Sequence, residues 1–306
     1  MLVPDFTVLQ DFKTMLFSIL LDAIPFILLG VIMSSLMQMF ISEAWIRKMT
    51  PKNPLLGILF AFLLSLLFPV CECGMIPVVR RLIAKGMPLY IGVVFILVGP
   101  IVNPVVFAAT YTAFRSQPEM VYSRMGLALF VGLCIGLYVY YFVRKNPMKN
   151  SAATLYATTS PEVSHTHVQG NKWLSVMEHA GSEFFDMGKY LIFGAVVTAS
   201  IQALVPRDEL LAIGQGGASS HVFMMGLAFV LSLCSTSDTF VASSFAGTFS
   251  AGSLLTFMVF GPMLDFKSTL MLLSVFRWRF VLILALLIIL IVFVGANVIE
   301  RHVWGM

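Results

Sequence analysis

Apolar residues fall in long runs, and polar or charged residues collect between them. The runs cover Thr14 to Ile41, Pro54 to Val79, Met87 to Phe114, Met125 to Val143, Tyr190 to Pro206, His221 to Leu264 and Phe280 to Ile299. Most reach the ~20 residues that a helix needs to cross hydrocarbon. The run from His221 is too long for one crossing. It divides at Gly247 to Ser253, and the segment that follows extends through Lys267 to Phe276. About eight hydrophobic segments result. The predicted fold class is an all-α polytopic membrane protein with broken or re-entrant helices. The first run is too long for a signal-peptide core, lacks a basic start and precedes no small-residue cleavage site, so it is read as retained.

The pattern repeats. "AFLLSL" at Ala61 to Leu66 recurs as "AFVLSL" at Ala228 to Leu233, "GPIVN" at Gly99 to Asn103 recurs as "GPMLD" at Gly261 to Asp265, and Asp22 with Gly30 is matched by Asp186 with Gly194. Order and spacing are kept. Residues 1–143 and 181–306 are therefore expected to be two membrane repeats of four segments each. Residues 144–180 are a polar linker, with Arg144 to Lys172 too hydrophilic for lipid and an amphipathic end from Trp173 to Phe185. Helix-breaking residues at matching places in both halves point to a secondary transporter with its substrate site between the repeats. If every segment crosses, the basic residues divide almost evenly between the two sides. If the second and sixth re-enter, Arg47, Lys48, Lys52, Arg80, Arg81, Lys85, the linker and Lys267 to Arg279 gather on one side, and the repeats are inverted. Against re-entry, the leg from Leu55 to Val70 makes about 24 Å of helix, long for a hairpin.

Composition agrees: 59% of the 306 residues are hydrophobic and 11% charged, against about 25% charged in soluble domains. A multi-pass protein of the cell membrane follows, with the lipid bilayer as its first partner. The net charge of +4 is spread over loops, which argues against nucleic acid. Four cysteines, mostly in apolar runs, make no secreted disulfide framework. No cofactor motif is present, and no G-x-x-x-x-G-K-[ST] supplies a nucleotide engine, so uphill transport must draw on an ion gradient or another subunit.

Candidate chemistry lies at the breaks. The second segment breaks at "PVCECG" and its counterpart at "CSTSD", which puts Glu72 and Asp238 near the same point. A carboxylate at mid-bilayer costs about 2.5 to 3.5 kcal/mol on insertion scales and must find a partner, a proton or a wet cavity. Cys71 and Cys73 flank Glu72. In a regular helix residues two apart diverge, but at a Pro- and Gly-flanked break the pair can meet a soft or borderline ion, so they are the candidate metal ligands. Cys234, Ser235, Thr236, Ser237 and Asp238 offer a second set, with the Ser-Thr-Ser-Asp run also a natural helix N-cap. The later breaks offer Asn103 and Asp265, the latter with Lys267 close enough to neutralise it. Buried cysteine is otherwise a small hydrophobe, the expected role of Cys134. His165 and His167 read as solvated linker residues, and Met33, Met37 and Met39 as packing.

The "PVCECG" and "SLCSTSDTF" segments, the paired GP motifs and the duplicated layout resemble the predicted-permease family of YraQ-type proteins and ArsP organoarsenical efflux permeases, over nearly the whole chain apart from the linker. The resemblance implies an inner-membrane permease rather than an enzyme. It implies trivalent arsenical recognition by cysteines in the ArsP branch, here Cys71 and Cys73, and in some relatives a second membrane subunit. The expected function is a permease, a secondary transporter or efflux protein for a metal, metalloid or small solute. The alternatives are a channel or scaffold subunit of a two-component complex, and a membrane thiol oxidoreductase, for which C-x-C lacks the usual C-x-x-C spacing.

Overall fold

The structure is a computed structural model that describes residues 50–51, 53–67, 72–143, 147, 188–200 and 217–305, with scattered positions in 10–32 and at 181 and 185. Asp22, Gly30, Asp186, Met33, Met37, Met39, Arg47, Lys48, Lys52, His165, His167 and Trp173 lie outside the described residues, as does the linker apart from Pro147. Among the described residues the fold is all-α, without a strand.

Five helices come from the first half: α1 Pro54–Leu67, α2 Glu72–Ala84, α3 Leu89–Val98, α4 Pro104–Ala113 and α5 Pro118–Phe142. Five come from the second: α6 Gly217–Leu231, α7 Ser235–Ser244, α8 Ala251–Met263, α9 Phe266–Val275 and α10 Trp278–Ile299, which ends in a π-helical turn, Glu300–Trp304. A further apolar helix, Gly188–Ser200, precedes them. Proline at the first turn starts α4 and α5, where its missing N–H breaks no helical bond. The His221 run is interrupted after Leu231 and again over 245–250, while residues 68–71 of the Pro54 to Val79 run lie outside the described residues. The described parts of α1 and α6, 14 and 15 residues, make about 21 to 23 Å of helix. Helices α5 and α10, with 25 and 22 residues, are long enough to cross. The helix α5 also corrects a boundary: it begins at Pro118 rather than at Met125, so Glu119 and Arg124 belong to it.

Two short apolar helices form the centre. Tyr90 to Val98 of α3 and Gly252 to Met263 of α8 are buried on every face, the condition under which a helix apolar all round is stable. Helices α1, α2 and α5 pack on α3, as α6, α7 and α10 pack on α8, while α3 meets α8 and α5 meets α10. The packing of α1 on α5 is answered by α6 on α10, and that of α4 on α5 by α9 on α10. Two contacts cross between the halves in the same matched way, α4 on α7 and α2 on α9. The departure from this pattern is α5 against α8. Small residues permit the close approaches: Gly132 faces Val98 and Phe62, and Gly136 faces Val94 and Ile58. The outer faces of α1 and α10 expose Leu59, Leu63, Leu67, Leu286 and Leu290, a surface suited to lipid.

Leu191, Gly194, Ala195, Thr198 and Ala199 line the buried face of the Gly188–Ser200 helix, and Gly194 lies against Lys267 of α9. Pro147 is buried, and its carbonyl accepts from the Arg277 N–H at 3.0 Å. At this one described point the linker packs against the start of α10.

Candidate functional site

The second break is defined in full. The helix α6 stops because Ser232 turns left-handed, with φ 46°. For a residue with a Cβ this conformation costs about 1 to 2 kcal/mol, and it is held by local bonds: the Ser232 N–H donates to the Ala228 carbonyl and its hydroxyl to the Phe229 carbonyl at 3.0 Å. Cys234 is extended and is the N-cap of α7, without a side-chain capping bond. This corrects the expectation that the Ser-Thr-Ser-Asp side chains cap the helix. They occupy its first turn instead, where Ser235 and Asp238, together with Thr239, are buried and Thr236 and Ser237 half-buried. The Thr236 hydroxyl donates to the Cys234 sulfur at 3.7 Å. At the first break Glu72 opens α2 and is buried, its carboxylate at the helix end where a negative charge is favoured. Cys71 and the side chain of Cys73 lie outside the described residues.

The later breaks are capping sites. Asn103 caps α4, its Oδ1 accepting from the Val106 N–H at 2.8 Å while its Nδ2 donates to the Gly99 and Pro100 carbonyls, both at 3.2 Å. Asp265 caps α9 in a capping box with Ser268, and Lys267 Nζ stands 4.0 Å from its other oxygen and 3.4 Å from the Ser232 carbonyl. Asn103 thus starts the helix that crosses to α7, and Asp265 the one that crosses to α2.

A residue that sequence reasoning left outside the membrane segments sits at the centre of this arrangement. Arg124 is fully buried. Its Nη1 donates to the hydroxyls of Thr110 at 2.7 Å and Thr239 at 2.6 Å, and its Nη2 to the Ser235 carbonyl at 3.0 Å. One guanidinium therefore ties α5 to α4 in its own half and to α7 in the other. Its planar fork permits this, as an ammonium would not. Asp238 lies within electrostatic range of Arg124, Asp265 and Lys267, and Cys234 within range of Glu72 and Lys267. The structure accordingly brings Glu72, Cys234, Asp238 and Asp265 into one electrostatic neighbourhood with Arg124 and Lys267.

The two halves fill matched positions differently. A Cβ at Gly99 would collide with the Met75 side chain of α2, and one at Gly261 would lie 2.9 Å from Asp238 Oδ2 of α7. Met75 is the fourth residue of its helix and Asp238 the fourth of its own, whereas Glu72 is the first. Asp238 thus faces the glycine of one GP motif as Met75 faces the other, and Glu72 lies a turn away. A second buried polar group was also missed: His221 Nδ1 meets the Thr256 hydroxyl at 2.7 Å and Nε2 meets Glu300 Oε2 at 2.8 Å, joining α6, α8 and the π-turn. Among the described residues no group of three His, Cys, Asp or Glu is placed to hold a metal.

A family described as "predicted permease" matches residues 8–301. The chain is 48% identical over 287 residues to the UPF0718 protein YcgR of Bacillus subtilis, covering 92% of this chain and 95% of that one. It is 37% identical over 265 residues to a Streptococcus mutans protein named as a putative two-component membrane permease complex subunit, covering 87% of each. No solved structure matches the chain.

Proposed function

Starting from the premise that the chain belongs to this predicted-permease family and is a multi-pass membrane protein, we propose that it is a secondary permease for a metal, metalloid or small solute. The solute moves through the polar cluster at the paired helix breaks. One observation carries the reading: the start of α2 from one half and the start of α7 from the other put Glu72, Cys234 and Asp238 in a single electrostatic neighbourhood with Arg124 and Lys267. Interrupted helices and buried charge are expensive in hydrocarbon and persist where they line a path. Cys71, Glu72 and Cys73 from one break and Cys234, Ser235, Thr236, Ser237 and Asp238 from the other are the solute contacts, with the soft-ion affinity at Cys71 and Cys73. Asn103 and Asp265 act through the helices they cap. The matched packing of α1–α5 and α6–α10 supports reading residues 1–143 and 181–306 as repeats.

The printed name of the Streptococcus mutans relative favours a second reading, in which the chain is one subunit of a two-component complex. Proteoliposomes holding the purified chain alone, tested for zinc and arsenite flux, separate the two. Flux by the chain alone, lost in Cys71→Ser/Cys73→Ser without a change in melting temperature, supports the permease and its soft-ion ligands. Normal flux in the double variant makes the cysteines packing residues, and flux that requires a second membrane protein supports the complex.

A further inference from the structure

Asp238 is 1% exposed, and among the described residues its carboxylate receives no hydrogen bond; Oδ2 is buried without a partner. The nearby cations do not donate to it, although Arg124 Nε is itself buried without a partner. Arg124 spends Nη1 on Thr110 and Thr239 and Nη2 on the Ser235 carbonyl, so it faces Asp238 as a fixed charge rather than as a donor. Lys267 lies against the Ser232 carbonyl and Asp265. On the α8 side the carboxylate meets the bare backbone of Gly261, and α8 carries no titratable residue. The helix α4 presents Thr110, its one ionisable side chain, Tyr111, being exposed. Of the remaining groups, Asp265 acts on Asp238 from α9, and Glu72 of α2 acts on Cys234.

A buried carboxylate without donors calls for a cation. A metal cation takes several oxygen ligands, and no triad of His, Cys, Asp or Glu stands ready for one among the described residues. Two fixed positive charges within range add repulsion. A proton needs one ligand and no room. We propose that Asp238 is the proton site of this permease: its carboxylate binds one proton and releases it, with Arg124 as the fixed countercharge that makes release possible. The proposal rests on the permease reading for its purpose, coupling transport to a proton gradient, but its occupancy is measurable without any transported solute.

The test is infrared spectroscopy of the full chain in lipid, titrated from mildly alkaline to mildly acid pH. Wild type should gain the carbonyl band of a protonated carboxylic acid on acidification, and Asp238→Asn should lose that band while Glu72→Gln keeps it. Gly261→Ala, which brings a methyl to the carboxylate, should shift the band without abolishing it, and this carries the assignment if Asp238→Asn does not fold. A band that survives Asp238→Asn, or that Gly261→Ala leaves unmoved when Asp238→Asn cannot be prepared, overturns the proposal. Absence of zinc and arsenite flux, with or without a second membrane protein, would instead remove the metal and metalloid permease reading and leave this spectrum to stand or fall alone.

Discussion

Replacing Arg124 by glutamine tests the clasp between the halves. The substitution removes three bonds from a charged donor, each worth about 1.5 to 3 kcal/mol in isolation. Their sum overstates the loss, because the partners keep other bonds: the Thr110 hydroxyl still donates to the Val106 carbonyl at 2.7 Å and Thr239 to the Ser235 carbonyl at 3.0 Å. What remains, among the described residues, is Asp238 with Lys267 as the one cation still in range. Removing one partner of a buried charge pair costs about 3 to 5 kcal/mol, and that range is the expected loss for Arg124→Gln. Arg124→Lys should fall between the two, since one ammonium cannot span two hydroxyls and a carbonyl held by three helices. Reversible unfolding in mixed micelles, followed by tryptophan fluorescence, measures each variant. A cycle with Asp238→Asn then isolates the electrostatic part: the double variant should lose about 1 kcal/mol or more less than the sum of the singles. An Arg124→Gln protein within about 1 kcal/mol of wild type would refute the clasp. A strictly additive cycle would refute its coupling to Asp238.

The capping roles of Asn103 and Asp265 make further predictions in the same unfolding assay. Asn103→Ala and Asp265→Ala should each cost about 1 to 2 kcal/mol, and Asp265→Asn less than half of that. If Asp265→Asn is as damaging as Asp265→Ala, the charge beside Lys267 matters rather than the cap. At Gly57 an added Cβ would collide with the Tyr90 ring and hydroxyl, so Gly57→Ala should destabilise by about 1 to 3 kcal/mol. Tyr90→Leu should recover most of that loss, and failure to do so would show that the backbone of α1, not the tyrosine, resists the methyl.

Local chemistry made the interruptions legible. Proline, glycine and short polar runs mark the ends of α3, α6 and α8 because each acts on its own backbone within a few residues. The helix that begins at Pro118 was cut short at Met125 for the opposite reason. An arginine on an apolar run reads as the edge of a span, and what keeps Arg124 inside is Thr239 and the Ser235 carbonyl, more than a hundred residues away in the chain. The His221 contact with Glu300 is equally remote. The register of Asp238 against Met75 was hidden because matching residues of the two hexapeptides take different conformations. Ser65, the counterpart of Ser232 in the matching hexapeptides, stays helical and donates to the Ala61 carbonyl, so α1 runs on to Leu67 where α6 has already turned. Cysteine caps α7 in preference to the serines that follow because the left-handed turn at Ser232 fixes where the helix begins.

The Arg124 clasp joins unlike partners, and that difference can be tested. Its Nη1 holds Thr110, which belongs to the same half, and Thr239, which belongs to the other. Both threonine hydroxyls also donate to a carbonyl of their own helix, so Thr110→Ala and Thr239→Ala remove similar bonds and should cost similar stability, about 1 kcal/mol. Their effect on opening should differ. Thr110→Ala loosens α4 against α5, a contact within one half, whereas Thr239→Ala weakens the hold of α5 on α7, beside the break that carries Cys234. Cys234 is half-buried, so the rate at which a maleimide labels it, in a background with the other cysteines replaced, reports how often the halves part there. Thr239→Ala should raise that rate several-fold and Thr110→Ala should leave it near wild type. Equal acceleration in both would mean that the arginine stiffens the bundle as a whole. A bond between the halves would then not be what controls access to the site.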